Sequence, residues 1–316
     1  MEILKVNQLQ ITYDQKTVIK NCSFDVQEGE IVAILGASGE GKTSILKAIA
    51  GKLVLGGGSI HFKGDQLKDP SQKLMPGIDE IKLVDQDFDL DIYHTVEENI
   101  RIKLLQFDKE YQTERVELLL HLIGLENFRQ QKAKLLSGGQ KQRLAIARAL
   151  ANEPELVLLD EPFNQLDFKS KSRISSHIQE YLKENGIAAL MVTHNGLEAM
   201  EWADKVIYLE EGEIKREDEA IRFYENPKSL REAEFFGKVN QLEINGQLIY
   251  FRPGDFRLEK DENHPFSVSG ELLNSKKMGW YTEYVYQFEK QIFRLFSAED
   301  LTQKDHFFVH LLKLND

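Results

Sequence analysis

LSGGQKQRLAIARALANEPELVLLDEPFNQLD, Leu136 to Asp167, is the stretch around which the rest of this 316-residue chain is organised. It passes from a Ser-Gly-Gly-Gln turn into a helical segment, about Lys141 to Asn152, and then into a fully apolar strand followed by two acids. Gly138 and Gly139 lack a Cβ, so their backbone N–H groups can approach an anion closely. The following helix turns the positive end of its dipole toward the same place. Leu156-Val157-Leu158-Leu159 has the unbroken apolar character of a parallel strand buried on both faces. Asp160 and Glu161 leave its C-terminal end, where open α/β sheets place their ligands.

Working outward, Ile31 to Leu35 is a second buried strand, and Gly36-Ala37-Ser38-Gly39-Glu40-Gly41-Lys42-Thr43 follows at once. A helical stretch, Ser44 to Ala50, comes next, and a strand before and a helix after is the context that confirms a Walker A motif. Its glycines let successive N–H groups turn inward as an anion nest. In that pattern Lys42 reaches the β- and γ-phosphates, and the Thr43 hydroxyl ligates Mg²⁺. A Gly-rich turn that binds nothing is the bland alternative, and the flanking elements argue against it.

Together these residues resemble the ATPase subunit of an ABC (ATP-binding cassette) transporter. LSGGQ resembles the family signature, LVLLDE its Walker B strand and NQLD its D-loop, and the resemblance spans Met1 to about Gly212. It implies an α/β P-loop ATPase domain with a helical subdomain at about 87–150, hydrolysing ATP with Mg²⁺. ATP would be held by Tyr13, stacked on adenine, and by Gly36, Ser38, Gly39, Gly41, Lys42, Thr43 and Ser44. Thr43, Gln86 and Asp160 would serve the Mg²⁺, Asp160 either directly or beside one of its ligands. Glu161 resembles the catalytic base that takes a proton from the attacking water or polarises it. Gln86, in LVDQDF, resembles the Q-loop glutamine that contacts Mg²⁺ and that water. His194, in LMVTHN, resembles the switch histidine on the γ-phosphate; its two nitrogens can accept from water and donate to phosphate. Alone, Tyr13 is a strand tyrosine, Gln86 a loop residue and Asp160-Glu161 a solvated pair. The joint order of the motifs makes the difference.

Walker A already supplies a complete phosphate cradle, so Ser137, Gly138, Gly139 and Gln140 have no obvious second anion in the same subunit. The resemblance implies that they cover the γ-phosphate held by a second copy across an isologous two-fold interface, with Asp167 at that interface. Every motif is intact, so both sites of such an ATP-dependent homodimer should be competent, and hydrolysis should loosen it as a γ-phosphate switch.

The composition, 41% hydrophobic and 29% charged, is that of an ordinary soluble globular protein of two domains. No apolar run approaches the length of a membrane span, and MEILKVNQLQITYD lacks the basic start and apolar core of a signal peptide. The single cysteine, Cys22, excludes an internal disulfide and fits a reducing cytosol. A net charge of −12 argues against a nucleic-acid or anionic-membrane binder. The family's ATPases drive transmembrane permease subunits, which implies a peripheral position on the cytoplasmic face of the cell membrane. DFDLDIYHTVEENI, Asp87 to Ile100, resembles the segment that receives the permease's coupling helix. Phe88, Leu90, Ile92 and Tyr93 are more apolar there than a plain loop requires, although each could equally be core of the helical subdomain.

Period-two alternation predicts antiparallel strands at Ile3 to Tyr13 and Val18 to Val26, and helical periodicity runs from about Thr95 to Asn127. The character changes after Gly212. Lys215 to Lys238 is charged and reads as helical with a break at Pro227, and short strand-like runs follow at Leu248 to Phe251, Tyr284 to Phe288, Ile292 to Phe296 and Phe307 to Leu314. The expected division is 1–235 for the ATPase domain and 236–316 for a small all-β, oligonucleotide-binding-like regulatory domain. Tyr224, Pro227, Phe235, Phe236, Gly237 and Asn240, with Arg252-Pro253, Asp255 and Leu258, resemble the junction and barrel of the iron, spermidine/putrescine and sugar importer ATPases. Gly254 departs from that family's usual Glu, and the region is too short for the double barrel of its larger members. This resemblance implies import of a small solute, such as ferric iron or a polyamine, delivered by a solute-binding protein. Export, or a soluble ABC ATPase acting on macromolecules, are the alternatives; heptads and a second Walker A, which would favour the latter, are missing from the sequence.

Overall fold

Alternating burial makes β1 (Glu2–Tyr13) and β2 (Lys16–Gln27) an antiparallel pair, each strand keeping one face in the core. The next strand, β3 (Ile31–Leu35), is buried throughout and runs straight into the Gly-rich loop and α1 (Lys42–Ile49). β4 (Gly57–Phe62) and β5 (Asp65–Gln66) extend the antiparallel edge, and β6 (Ile81–Val84) opens the parallel one. The computed structural model describes residues 1–14, 16–68, 78–165 and 168–314, with the backbone alone at 168–172. Two compact units result, Met1–Glu219 and Ala220–Asp316.

In the first unit three helices follow β6: α2 (Val96–Arg101), α3 (Lys109–Ile123) and α4 (Gly138–Leu150). Val96, Ile100, Leu104, Val116, Leu119, Leu120 and Ile123 are all fully buried, as the helical periodicity requires. Thr95 and Asp108 cap the first two helices, and Gly124 ends α3 at φ +62°, where an L side chain is disfavoured. Arg115 donates to the carbonyls of Leu150 and Ala151 and so closes the C-terminal end of α4. α4 begins at Gly138, earlier than the sequence predicts. Ser137 is its N-cap, and Ser137 and Gln140 form a reciprocal capping box, which turns the expected Ser-Gly-Gly-Gln turn into the first turn of the helix.

β7 (Leu156–Asp160), α5 (Phe168–Glu184), β8 (Ala188–Thr193), α6 (Gly196–Trp202), β9 (Lys205–Glu210) and β10 (Glu213–Asp218) complete the unit. The ten strands form one sheet in the order β5-β4-β1-β2-β10-β9-β3-β8-β7-β6. β3, β8, β7 and β6 lie parallel, with Leu35 opposite Thr193 and Asp160 opposite Val192. The loop after β3, the acids at the end of β7 and the histidine after β8 therefore emerge together at the C-terminal ends of the parallel strands. Each fully buried Leu or Val in these strands contributes about 1.5–3 kcal/mol relative to exposure. β10 corrects one expectation: Lys215 to Asp218 reads as helical by charge, but it pairs antiparallel with β9.

The second unit opens with two short helices, α7 (Ala220–Glu225) and α8 (Leu230–Phe235). Its strands are β11 (Asn240–Ile244), β12 (Gln247–Phe251), β13 (Phe256–Arg257), β14 (Phe266–Ser269), β15 (Glu271–Lys277), β16 (Thr282–Phe288), β17 (Gln291–Ser297) and β18 (His306–Val309). They form three small antiparallel sheets, the all-β, oligonucleotide-binding-like body expected from the sequence. Tyr286, Phe293 and Phe307 stack and tilt against one another at its centre, and the Tyr286 hydroxyl donates to the Leu301 carbonyl at 2.9 Å. Buried Arg252 donates to the carbonyls of Tyr224, Ala233 and Gly237 and lies 4.5 Å over the Tyr224 ring. These bonds bind α7 and α8 to the strands, so the units divide at Glu219/Ala220, ahead of the boundary read from the sequence.

Candidate active site

The loop between β3 and α1 can form only with glycine at particular positions. At Gly36 a Cβ would lie 2.5 Å from the Leu209 carbonyl oxygen, and at Gly41 one would lie 2.7 Å from both Val18 and Ile19. Gly39 and Gly41 have φ of +87° and +93°, a region that L side chains rarely enter. Unlike α2, α3 and α4, α1 has no side-chain cap. Its first N–H groups have no intrahelical partner and face the loop, where an anion would complete them.

Buried Lys42 donates to the carbonyls of Gly36 and Ala37 at 2.7 and 2.8 Å, folding its side chain back over the loop. Burial lowers its pKa, opposed by the charges of Glu161, Asp160 and Glu40. Lys42, Thr43, Ser44, Ser38, Gly39 and Gly41 share a cleft of about 350 Å³ with Gln86, Asp160 and Glu161. Val18 also lines this cleft, and the sequence reading missed it. Tyr13 is exposed at the end of β1, and its hydroxyl lies 3.2 Å from Ser44 Oγ, which sets the ring beside the first turn of α1.

Asp160 is almost fully buried, and its Oδ1 has no hydrogen-bond partner. Burial raises its pKa, while the hydrogen bond from Thr43 works in the opposite direction. A buried carboxylate oxygen without a donor is costly unless something else satisfies it. One carboxylate, one hydroxyl and the Gln86 amide fit a small, hard divalent cation that keeps waters and shares phosphate oxygens. Among the described residues no cluster of three or more His, Cys, Asp or Glu could hold a metal on its own.

Glu161 adopts φ +48°, a left-handed conformation that costs a non-glycine residue on the order of 1–3 kcal/mol. It persists because every polar group of the residue is held. The N–H donates to the Val192 carbonyl at 3.1 Å, and the carbonyl accepts from Gln142 Nε2 at 2.9 Å and from the Asn164 N–H at 3.4 Å. Oε1 lies 3.0 Å from His194 Nδ1, and Oε2 accepts from Asn164 Nδ2. His194 itself follows Thr193, whose hydroxyl donates to the buried Glu198 carboxylate and accepts from the Asn195 N–H. Gln142, Asn164 and Glu198 were not anticipated from the sequence: Gln142 acts on a residue nineteen positions away, while Asn164 and Glu198 act locally but belong to no motif read there.

Ser137, Gly138, Gly139 and Gln140 do not line this cleft. Ser137 Oγ accepts from the Gln140 N–H, and the Ser137 N–H donates to Gln140 Oε1, leaving the N–H groups of Gly138 and Gly139 without an intrahelical partner. Asp167 lies outside the described residues.

The family model described as ABC transporter matches residues 19–164. The spermidine/putrescine import ATP-binding protein PotA of Spiroplasma citri is 36% identical over 241 residues, 75% of this chain and 67% of the relative. The chain belongs to the ABC transporter ATP-binding family. Among solved structures it is similar to the ATP-binding cassette MJ0796, determined as a dimer in a post-hydrolysis state bound to ADP and phosphate. That likeness has a TM-score of 0.62 at 30% identity and covers 69% of this chain and 99% of the other. It is also similar to cbiO1 of Clostridium perfringens, part of the ABC transporter complex cbiONQ. The TM-score is 0.63 at 28% identity, covering 71% of this chain and 90% of the other. As an ABC cassette the chain binds and hydrolyses ATP, and residues of the Gly-rich loop, Gln86, Asp160 and Glu161 line the cleft around Lys42.

Proposed function

We propose that the chain is the motor subunit of an ABC importer, driving uptake of a small solute of the polyamine or ferric-ion class through separate transmembrane subunits. The observation that carries this reading is the 36% identity to a spermidine/putrescine import ATP-binding protein. Two features of the chain support it. Among the described residues no helix is long and apolar enough to cross a membrane, which is compatible with separate permease subunits. A cleft of about 450 Å³ is lined by Leu83, Phe88, Lys103, Ala145 and Arg148, and Ile92 and Tyr93, a few residues after Phe88, are exposed, which supports a docking surface on this part of the chain.

In the proposed cycle the uncapped end of α1 and the glycine N–H groups receive the phosphates, and Lys42 exchanges its loop carbonyls for phosphate oxygens. Tyr13 offers its ring to the adenine. Bound between Thr43, Gln86 and Asp160, Mg²⁺ would offset charge on the phosphate oxygens. Glu161 accepts the proton of the attacking water, with His194 orienting its carboxylate. The residues from Ser137 to Gln140 stand apart from their own cleft, which supports their closing over the γ-phosphate of a second copy, with Asp167 beside them. ATP then holds two copies together and hydrolysis releases them, on the cytoplasmic face of a membrane where a solute-binding protein supplies the permease from the other side.

Affinity capture from native membranes tests this reading. Integral membrane proteins should co-purify with the chain, and Phe88→Asp or Tyr93→Asp should break the association without changing ATP affinity. Vesicles carrying the captured complex should accumulate polyamine or ferric ion only with ATP on the side of the cassette. Recovery of soluble proteins or nucleic acid alone would overturn the transporter reading.

A further inference from the structure

Gln142 lies on α4, just beyond Ser137-Gly138-Gly139-Gln140, and is 3% exposed. It does not line the nucleotide cleft. Its carboxamide makes two bonds, both to the segment that follows β7. Nε2 donates to the Glu161 carbonyl at 2.9 Å, and Oε1 accepts from the Gln165 N–H at 3.4 Å. Glu161 is a residue in the left-handed region, which an L side chain keeps only where its surroundings hold it. The Asn164 N–H reaches the same carbonyl at 3.4 Å, so the Gln142 bond is the shorter of the two.

A second contact joins the same two segments. The Gln165 carboxamide lies against Gly138, where an added Cβ would displace the end of that exposed side chain. The family resemblance implies that Gly138 faces an anion on another subunit; within its own subunit it lies beside the Gln165 side chain.

We infer that Gln142 is a positioning residue for hydrolysis. It holds the Glu161 backbone in the conformation that aims the carboxylate at His194 and the cleft. It also ties that conformation to the helix whose first turn carries the signature residues. A displacement of α4 is then transmitted to the base through one carboxamide. The inference rests on the reading of Glu161 as the base, and its test separates the two.

Gln142→Leu removes both bonds at nearly constant volume. Gln142→Glu keeps an acceptor for the Gln165 N–H but, ionised, has no proton for the Glu161 carbonyl. Each variant should lower kcat about 10–100-fold, the cost of a displaced catalytic group, with KM for Mg-ATP within about twofold of the parent. In a Glu161→Gln background the same substitutions should leave the residual single-turnover rate unchanged, because the group they position has already been removed. A merely structural role would add its loss to that of Glu161→Gln. Parent-like kcat in Gln142→Glu, or additive losses in the double variants, overturns the inference. If Gln142→Leu does not fold, Gln142→Glu decides alone. Hydrolysis at the parent's rate in Glu161→Gln by itself refutes the base and, through it, the inference; an inactive Glu161→Gln beside fully active Gln142 variants refutes the positioning role only.

Discussion

His194 Nδ1 stands 3.0 Å from Glu161 Oε1, joining the residue after β8 to the residue after β7. The two strands are hydrogen-bonded neighbours in parallel register, so the pairing of imidazole and carboxylate is set by the sheet. A carboxylate held on one side by a ring N–H and on the other by Asn164 keeps its remaining lone pairs for a water in the cleft.

Glu161→Gln keeps the shape but turns one of the two accepting oxygens into a donor, and it removes the base and its negative charge. Steady-state hydrolysis should fall by about 10²–10⁴-fold. ATP should still bind, because Lys42, Thr43 and the loop glycines remain, and the ATP-bound dimer should accumulate in light scattering with Mg-ATP. Ser137→Arg added to this variant should abolish the dimer, since a bulky cation replaces the cap of α4 where the opposing phosphate would arrive. Retention of the dimer in the double variant would count against closure over the second copy's nucleotide.

Lys42→Ala removes charge-assisted bonds to phosphate worth roughly 1.5–3 kcal/mol each. ATP affinity should fall at least about tenfold. Calorimetric titration of the purified variant reads this directly, and an unchanged Kd would refute the phosphate role.

Gly41→Ala places a Cβ 2.7 Å from Val18 and Ile19 on a backbone at φ +93°. The conformation alone should cost about 1–2 kcal/mol. Urea unfolding should show that loss, and ATP binding should weaken with it, because relieving the clash displaces the first turn of α1. Gly64→Ala is the control: φ is +87° there too, but nothing lies within 4 Å of the added Cβ, so stability falls with no change in ATP affinity.

In the second unit, buried His264 lies between two carboxylates, with Nε2 2.8 Å from Asp255 and Nδ1 2.8 Å from Asp261. Burial alone would lower its pKa, but the two carboxylates outweigh burial and hold it above the ordinary value. Because the folded pKa exceeds the unfolded one, the contribution to stability is complete below the unfolded value, about 6.5, and is lost as pH rises through the folded one. Thermal unfolding of the parent should therefore lose more stability between about pH 6 and pH 9 than that of His264→Gln. Parallel profiles would remove His264 as the cause.

The first unit was largely legible because its motifs are local. Each of the key segments, Ile31 to Thr43 and Leu156 to Glu161, carries its own strand and its own chemistry within a few residues. The helical start at Gly138 was missed: the Ser137-x-x-Gln140 spacing of a capping box announces it, but the two glycines read as a turn. Gln142 was not legible, and Arg252 was legible only as part of a resemblance, since what each side chain does depends on carbonyls many residues away. β15 escaped for a different reason: six of its seven residues are exposed, so it carries no apolar alternation to read.

The pairing of Leu35 with Thr193 and of Asp160 with Val192 has a consequence for how such a chain can change in length. Consecutive residues on a strand point to opposite faces and advance about 3.3 Å. Deleting one residue within β3, β7 or β8 would therefore turn an acid or the histidine away from the loop as well as withdraw it. Substitutions along these strands cost packing energy and can be compensated by neighbours. A deletion changes the phase of the whole strand, which no neighbour can restore. Gain and loss of residues should thus collect in the crossovers at the opposite, N-terminal ends of the parallel strands, where a longer loop leaves every distance around Lys42 as it was.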